Sequence, residues 1–341
     1  MRIPSLIITF FLALLVASAQ AQETSSEQVG TGTSTDTLTP AENTTVDRVH
    51  SSATGLIRNT IGKIDSLFVD DYYTTFGDNS TRVRLRLDSR YVQDHGFDVK
   101  GKLKFKLVLP GLGKGFRLVM NDDDSSDDDD IAKDDGDDND VALRYVLMQQ
   151  DNSALSFDAG LRVKSGDLDP FLRFNAAIQY DIIGQWYGRT SNRLYYYSKT
   201  HWRNDFRQSF NRPLTDDLLF KARTRLQYYD ENDYNPFIEQ KFSLFQTLDS
   251  KSAIAYEALW LKQAEEDSVF DEDEIIGDLQ DSYQNVGLRL RYRRNVWREW
   301  LYVELWPIVG WAEERDWDTV LAGFFRLEVT FGGKGKSRLS E

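Results

Sequence analysis

Charged and apolar residues alternate with period two along much of this chain. The pattern is clearest in Arg82-Val83-Arg84-Leu85-Arg86-Leu87 and in Lys100-Gly101-Lys102-Leu103-Lys104-Phe105-Lys106-Leu107. It returns in Lys221-Ala222-Arg223-Thr224-Arg225-Leu226 and in Leu288-Arg289-Leu290-Arg291-Tyr292-Arg293. Successive side chains of a strand point to opposite faces, so each segment presents one apolar face and one face of like charges. From Thr81 onward this period predicts strands near 81–91, 97–109, 115–120, 141–148, 154–164, 171–182 and 186–198. It predicts seven more near 204–213, 218–229, 237–247, 253–262, 284–294, 301–312 and 320–331. The total is about 14, most of them near the length that a tilted membrane strand needs.

The connections between these segments sort by side. Short ones at 110–114, 149–153, 183–185, 214–217, 248–252 and 295–300 fall on one side. The two longest, 121–140 and 263–283, fall on the other, together with 230–236 and 313–319. Short turns on one side and long loops on the other are the habit of outer-membrane barrels. The predicted fold is therefore all-β, a transmembrane antiparallel up-and-down β-barrel of about 14 strands. A soluble barrel or sandwich with its apolar face inward is the competing fold. Side chains can fill about eight strands but not 14, which argues against the soluble barrel. Aromatic residues also collect near segment ends, as at Tyr228, Tyr229, Trp297, Trp300, Trp311 and Trp317, which suits interfacial girdles.

Upstream of the strands, residues 1–21 read as a cleaved signal peptide. Arg2 supplies the charge, Leu6 to Val16 the apolar core, and Ala19-Gln20-Ala21 the cleavage site. Residues 22–45, rich in Ser, Thr, Gly and Glu, read as a disordered linker. Residues 46–75 hold a short amphipathic helix with its lead-in, its apolar positions including Val46, Val49, Leu56, Ile57, Ile61, Ile64 and Leu67. This helix either rests on the rim or plugs the lumen. The barrel takes 76–331, and 332–341 is a polar tail. The sequence contains no Cys, which excludes disulfides, a lipoprotein anchor and Cys-ligated metals.

The chain is acidic overall, with a formal charge of −14, and that excludes a nucleic-acid partner. The distribution of charge says more than its sum. Alternation sends Arg82, Arg84, Arg86, Lys100, Lys102, Lys104 and Lys106 to the lumen as one basic strip. Arg223, Arg225, Arg289 and Arg291 are expected as a second strip on the far wall, with Arg293 beside them. The opposing acids Asp88, Asp98, Asp158, Asp181, Glu239, Glu257, Glu304 and Glu328 are fewer. Outward placement would cost about 2–4 kcal/mol per cation at the membrane midplane, so the charges face in. Two readings follow. Rings of Arg and Lys attract anions, which makes a pore or binding site for small anionic solutes. Alternatively the cations form a structural ladder with acids and water and close the lumen.

Other chemistry is thin. Asp127, Asp128, Asp129 and Asp130 stand in an acidic loop that is a candidate for weak divalent-ion binding. The loop does not carry EF-hand spacing, because Ile131 and Lys133 stand where carboxylates are wanted. The histidines are His50, His95 and His201, and no motif surrounds them. A lipid-acting hydrolase is therefore the least supported class, and no cofactor is expected.

Several segments resemble a poorly characterised family of Gram-negative outer-membrane β-barrel proteins. They are Asn79-Ser80, Leu109-Pro110-Gly111, Arg291-Tyr292-Arg293-Arg294-Asn295 with Trp300-Leu301, Glu304-Leu305-Trp306-Pro307, and Arg326-Leu327-Glu328-Val329-Thr330-Phe331-Gly332. The resemblance spans about 60–331 and carries no catalytic or transport residues with it. It implies export to the outer membrane and contact with membrane lipid and lipopolysaccharide. The final strand, ending at Phe331, resembles the signal read by the barrel-assembly machinery, although ten residues follow it. The expectation is a monomer that passes or binds small anions. The alternative is a closed structural or envelope-assembly barrel.

Overall fold

A computed structural model describes residues 81–94, 96–112, 115–120, 139–150, 152–164, 167–230, 236–262, 284–297 and 300–332. The expected signal peptide, linker, amphipathic helix and tail beyond Gly332 lie outside the described residues. So do Asp127–Asp130, the segment 263–283, His50 and His95.

The described residues form fourteen strands. The first five are β1 Arg82–Val92, β2 Gly96–Val108, β3 Phe116–Met120, β4 Asn139–Gln149 and β5 Ser153–Lys164. Then come β6 Asp167–Asp181, β7 Tyr187–Tyr197, β8 His201–Thr215, β9 Leu218–Tyr229 and β10 Phe237–Thr247. The last are β11 Ser252–Lys262, β12 Gln284–Asn295, β13 Leu301–Ala312 and β14 Thr319–Gly332. Each strand pairs antiparallel with its sequence neighbours, and β14 pairs with β1, so the sheet closes on itself without a free edge pair. The architecture is a closed up-and-down barrel of the outer-membrane type, as the alternation predicts. The two longest connections, β3–β4 and β11–β12, leave the strands at one end, the long-loop end, which the tight β1–β2, β5–β6 and β7–β8 connections share; the opposite, short-turn end has short connections alone.

Burial follows the period. Along β1, Arg84, Arg86 and Asp88 are buried while Leu85 and Leu87 are 49% and 44% exposed. Along β2, Val99 and Leu103 are exposed and Lys100, Lys102 and Lys104 are not. Exposed apolar side chains therefore cover the outside, and a water-soluble protein rarely carries so large a contiguous patch. Aromatic residues band both ends. At the short-turn end Trp297 meets Trp300 edge-on and Trp300 stacks on Phe331, with ring centroids 5.6 and 6.3 Å apart. Tyr91, Phe97, Tyr196, Trp202, Tyr228 and Trp317 ring the other end. Amphipathic rings prefer those two levels of a bilayer.

Three irregularities shape the wall. β3 has only five residues and meets β2 at Phe105–Val108, so Gly96–Lys104 have a strand neighbour only in β1 among the described residues. Pro213 lacks an N–H, and the β8–β9 register shifts between Pro213 and Thr215. Pro307 sits in β13 where the β12–β13 register skips Leu290 and Arg291. The tight turn before β11 is held by Asp249, which accepts the Lys251 N–H at 2.7 Å. Hydrogen bonding from Ser252 keeps that carboxyl below its usual pKa.

This arrangement fixes which face tolerates a charge. Leu103→Arg puts a guanidinium on the lipid side at mid-strand, at about 2–4 kcal/mol, and should block insertion. Lys104→Gln should insert normally. Heat-modifiable migration and membrane fractionation of the two variants check this, and a harmless Leu103→Arg would reverse the face assignment.

Candidate functional site in the barrel interior

The membrane forces charge inward, and the interior then has to accommodate it. Among the described residues, sixteen Arg and Lys are buried against eight Asp and Glu. A buried charge without a partner costs several kcal/mol, so the acids cannot be placed at random. Register brings each of them beside guanidinium groups of neighbouring strands.

The clearest case is the seam where the chain ends meet. Asp88 and Arg326 are directly opposite on β1 and β14 and bond bidentately, Nε to Oδ1 at 2.8 Å and Nη2 to Oδ2 at 3.0 Å. One step along, Glu328 accepts Arg86 Nε at 2.8 Å and Arg293 Nη2 at 2.7 Å. Arg293 also donates to Glu304, which accepts the indole N–H of Trp306 at 2.9 Å. The Trp306 ring is a shared surface for three guanidinium carbons, those of Arg289, Arg291 and Arg326, at 4.9, 5.2 and 5.0 Å. Cation–π attraction and ion pairing thus act on the same groups.

The belt continues round the barrel. Glu257 pairs with Arg289 and lies 3.9 Å from Arg291, and Glu239 pairs with Arg223. Asp205 holds both Arg207 and Arg225 at 2.8 Å. Asp158 holds Arg144 at 2.8 Å and Arg173 at 2.7 Å. Nearer the long-loop end, Arg162 pairs with Asp169 at 3.0 Å and lies 3.8 Å over the Tyr197 ring. Arg203 lies between Tyr195 and Tyr229, at 5.1 and 5.0 Å.

All twelve expected lumen cations lie on inward positions, but they do not form the expected pair of strips. Arg223 and Arg225 on β9 are separated from Arg289, Arg291 and Arg293 on β12 by two strands carrying Glu239 and Glu257. β12 is also only three strands from β1, so it is not the far wall. These five arginines are buried members of the ion-pair belt. Asp181, expected in the wall, is exposed at the end of β6.

The first strip is different. Arg82, Arg84 and Arg86 stand directly opposite Lys106, Lys104 and Lys102 in the β1–β2 register, three cation–cation pairs in a row. Asp88 opposite Lys100 and Asp98 opposite Arg90 end the run, and on the β14 side Glu328 lies 2.8 Å from Arg86 and 4.0 Å from Arg84. Like charges directly opposite are destabilising. Lys100, Lys102, Lys104 and Lys106 are half-buried, so this part of the wall is reachable where most of the belt is not. A cavity toward the short-turn end extends the same sector. Arg117, Arg144, Arg189 and Arg193 line it, with Gln149, Ser156, Asn175 and Ser191. Arg117 Nη2 donates to Gln149 at 2.8 Å, and Asn175 donates to Ser156 at 3.2 Å.

Alternation around Arg207 also implies an inward Asp205, yet Asp205, Arg203 and Arg117 escaped the sequence reading. His201 is exposed at the start of β8 with a φ of 54°. Among the described residues no group of His, Asp or Glu is arranged to hold a metal ion.

No family model and no curated protein matches the chain. Solved structures similar to it include a KdgM porin, at 9% identity and a TM-score of 0.34, covering 73% of this chain and 99% of that one. OprD of Pseudomonas aeruginosa is 8% identical, with a TM-score of 0.39, covering 75% and 96%. A bacterial polysaccharide outer membrane secretin is 9% identical, with a TM-score of 0.44, covering 74% and 98%. The barrel itself stands on its own strand pairing.

Removing one belt acid strands the cations it serves. Glu328→Gln should destabilise the folded barrel by about 3–5 kcal/mol, read as a lower urea midpoint for unfolding from detergent or lipid. Glu313→Gln, on the exposed turn before β14, should leave the midpoint unchanged. Equal midpoints for both variants would show that the belt does not hold the strands.

Proposed function

We propose that this protein is an outer-membrane pore or binding barrel of a Gram-negative bacterium for small anionic solutes, acting through the basic sector of its interior from β1 to β7. The observation that carries this reading is the run of opposed cations, Arg82–Lys106, Arg84–Lys104 and Arg86–Lys102. Such a run has a lower free energy with anions nearby than without them, and fixed rings of Arg and Lys concentrate anions. The four-arginine cavity lies in the same sector and offers planar donors suited to carboxylate or phosphate groups. The two-to-one excess of cations among the buried charges adds a field of the same sign.

The second reading is a closed structural barrel. The belt favours it, because Arg223, Arg291, Arg293, Glu239, Glu304 and Glu328 are almost wholly inaccessible. Passage along that side of the interior would require ion pairs to open. Outer-membrane lipid, lipopolysaccharide and the assembly machinery are the partners proposed for either reading.

Planar-bilayer recordings of the refolded barrel separate the two. Under a salt gradient the reversal potential should report anion preference, weakening as salt rises and screening shortens the field. Reversing two charges, Lys102→Glu/Lys104→Glu, changes the energy of an ion some 8 Å away by about 2 kcal/mol before screening. Physiological salt cuts that to under about 1 kcal/mol, unfavourable for an anion and favourable for a cation, so the selectivity ratio should fall by about tenfold. Cation preference, or indifference to the double change, would sink the anion reading, and silence would favour the closed barrel.

A further inference from the structure

Polar side chains also line up on the outside of the barrel. Thr190, Gln208, Thr224 and Gln240, on β7 to β10, are directly opposite one another in the register. Arg193, Ser209, Arg223 and Lys241 are buried inward on the same strands, so by alternation the four face out, Thr190 covered by its neighbours and the other three half-buried. All lie well inside their strands, at the level where the neighbouring wall is Phe210, Leu226 and Phe242, each at least 37% exposed.

The row is organised. Thr190 Oγ1 donates to Gln208 Oε1 at 2.5 Å, and Thr224 Oγ1 donates to Gln240 Oε1 at 2.6 Å. Gln208 Nε2 donates to the Tyr180 hydroxyl at 3.0 Å. Asn192 and Asn204, also outward, bond amide to amide at 2.9 Å. Tyr180 reaches the row by lying over Gly188. A Cβ there would stand 2.6 Å from its ring, so only glycine lets the ring lie flat against the wall. Ala176 and Ala222 keep the surface low beside the row.

Hydrocarbon offers these groups nothing. The threonines spend their hydrogens on the amide oxygens, but neither Gln240 Nε2 hydrogen has a partner among the described residues. Unsatisfied donors at membrane depth cost several kcal/mol each. A partner at that level must itself be embedded in the membrane. The patch carries no charge, and every amide is both donor and acceptor, so it is complementary to itself. Small residues flanking polar ones also allow close approach in membranes. Copies inserted in the same direction are related by rotation about the membrane normal, which brings a patch against its own image.

We propose that the outward face of β7–β10, centred on Gln208 and Thr224, is where two copies of this chain pack in the membrane. The monomer expected from the sequence is then the exception, and the Gln240 amide finds its acceptor on the second copy.

The cysteine-free sequence allows a direct test. Single-cysteine variants Thr224→Cys and, across the barrel on β1, Leu87→Cys are treated in native membranes with a short bis-maleimide. A dimer band should form with Thr224→Cys and not with Leu87→Cys. Lipid nanodiscs should hold the wild-type barrel at twice the mass of one chain. Gln208→Leu/Thr224→Leu/Gln240→Leu should hold one chain while keeping heat-modifiable migration. A wild-type monomer, a leucine variant that stays paired, or crosslinking at Leu87→Cys equal to that at Thr224→Cys would each overturn the proposal. If the triple variant does not fold, the crosslinking comparison decides alone.

Discussion

A carboxylate held between two guanidinium groups from neighbouring strands is the unit on which this interior depends. The bilayer decides that charges face inward, since an outward Arg or Lys near mid-membrane costs about 2–4 kcal/mol. Inside, a lone guanidinium would be costly in its turn, and two would repel. One acid between them resolves both problems and ties two or three strands together. Glu328 does this for β14, β1 and β12, and Asp158 for β5, β4 and β6. The most consequential pairings cross the β1–β14 seam, which joins the two ends of the barrel. Arg86–Glu328 and Asp88–Arg326 there act as inward fasteners on a closure that has no covalent help.

The same rule shows where the interior is not balanced. Buried acids stand on six of the eight strands from β8 round to β1. The sector from β2 to β4 breaks the rhythm and adds Lys100, Lys102, Lys104, Lys106 and Arg117. Its lysines are the more accessible ones, and its cavity is lined by arginines. One wall thus has two regimes. A neutralised, inaccessible belt favours strength, and a cationic, reachable sector favours anion binding. Short β3 adds to the contrast, because most of β2 lacks a strand on its far side among the described residues.

The sequence made the fold legible because alternation is a local signal. Each of the fourteen expected segments contains a strand, and the sidedness of the connections followed from the count alone. Face assignments held for Arg84, Arg86, Arg223, Arg291 and their neighbours for the same reason. Pairings were not legible, because they depend on register between distant segments. Arg86 and Glu328 are separated by 242 positions, and nothing near either residue names the other. That is why the arginines of β9 and β12 looked like one strip, when acids on β10 and β11 stand between them. Strand ends were a second source of error. Asp169 fell before the expected start of β6 and so went uncounted, while Asp181 was counted and proved exposed. The outward Thr190–Gln240 row was missed for a simpler reason. Single polar residues on an apolar face are unremarkable until four strands place them side by side.

A membrane wall requires that the two faces of β1 and β2 meet different media. Spin labels on single cysteines at positions 83–87 and 99–105 read this directly through collision with oxygen, which partitions into lipid, and with a water-soluble nickel complex. Oxygen accessibility should oscillate with period two, high at Leu85, Leu87, Val99 and Leu103, and low at Arg84, Arg86, Lys102 and Lys104. The opposite phase would put the charges toward lipid, and no oscillation would mean that these strands do not form a membrane wall.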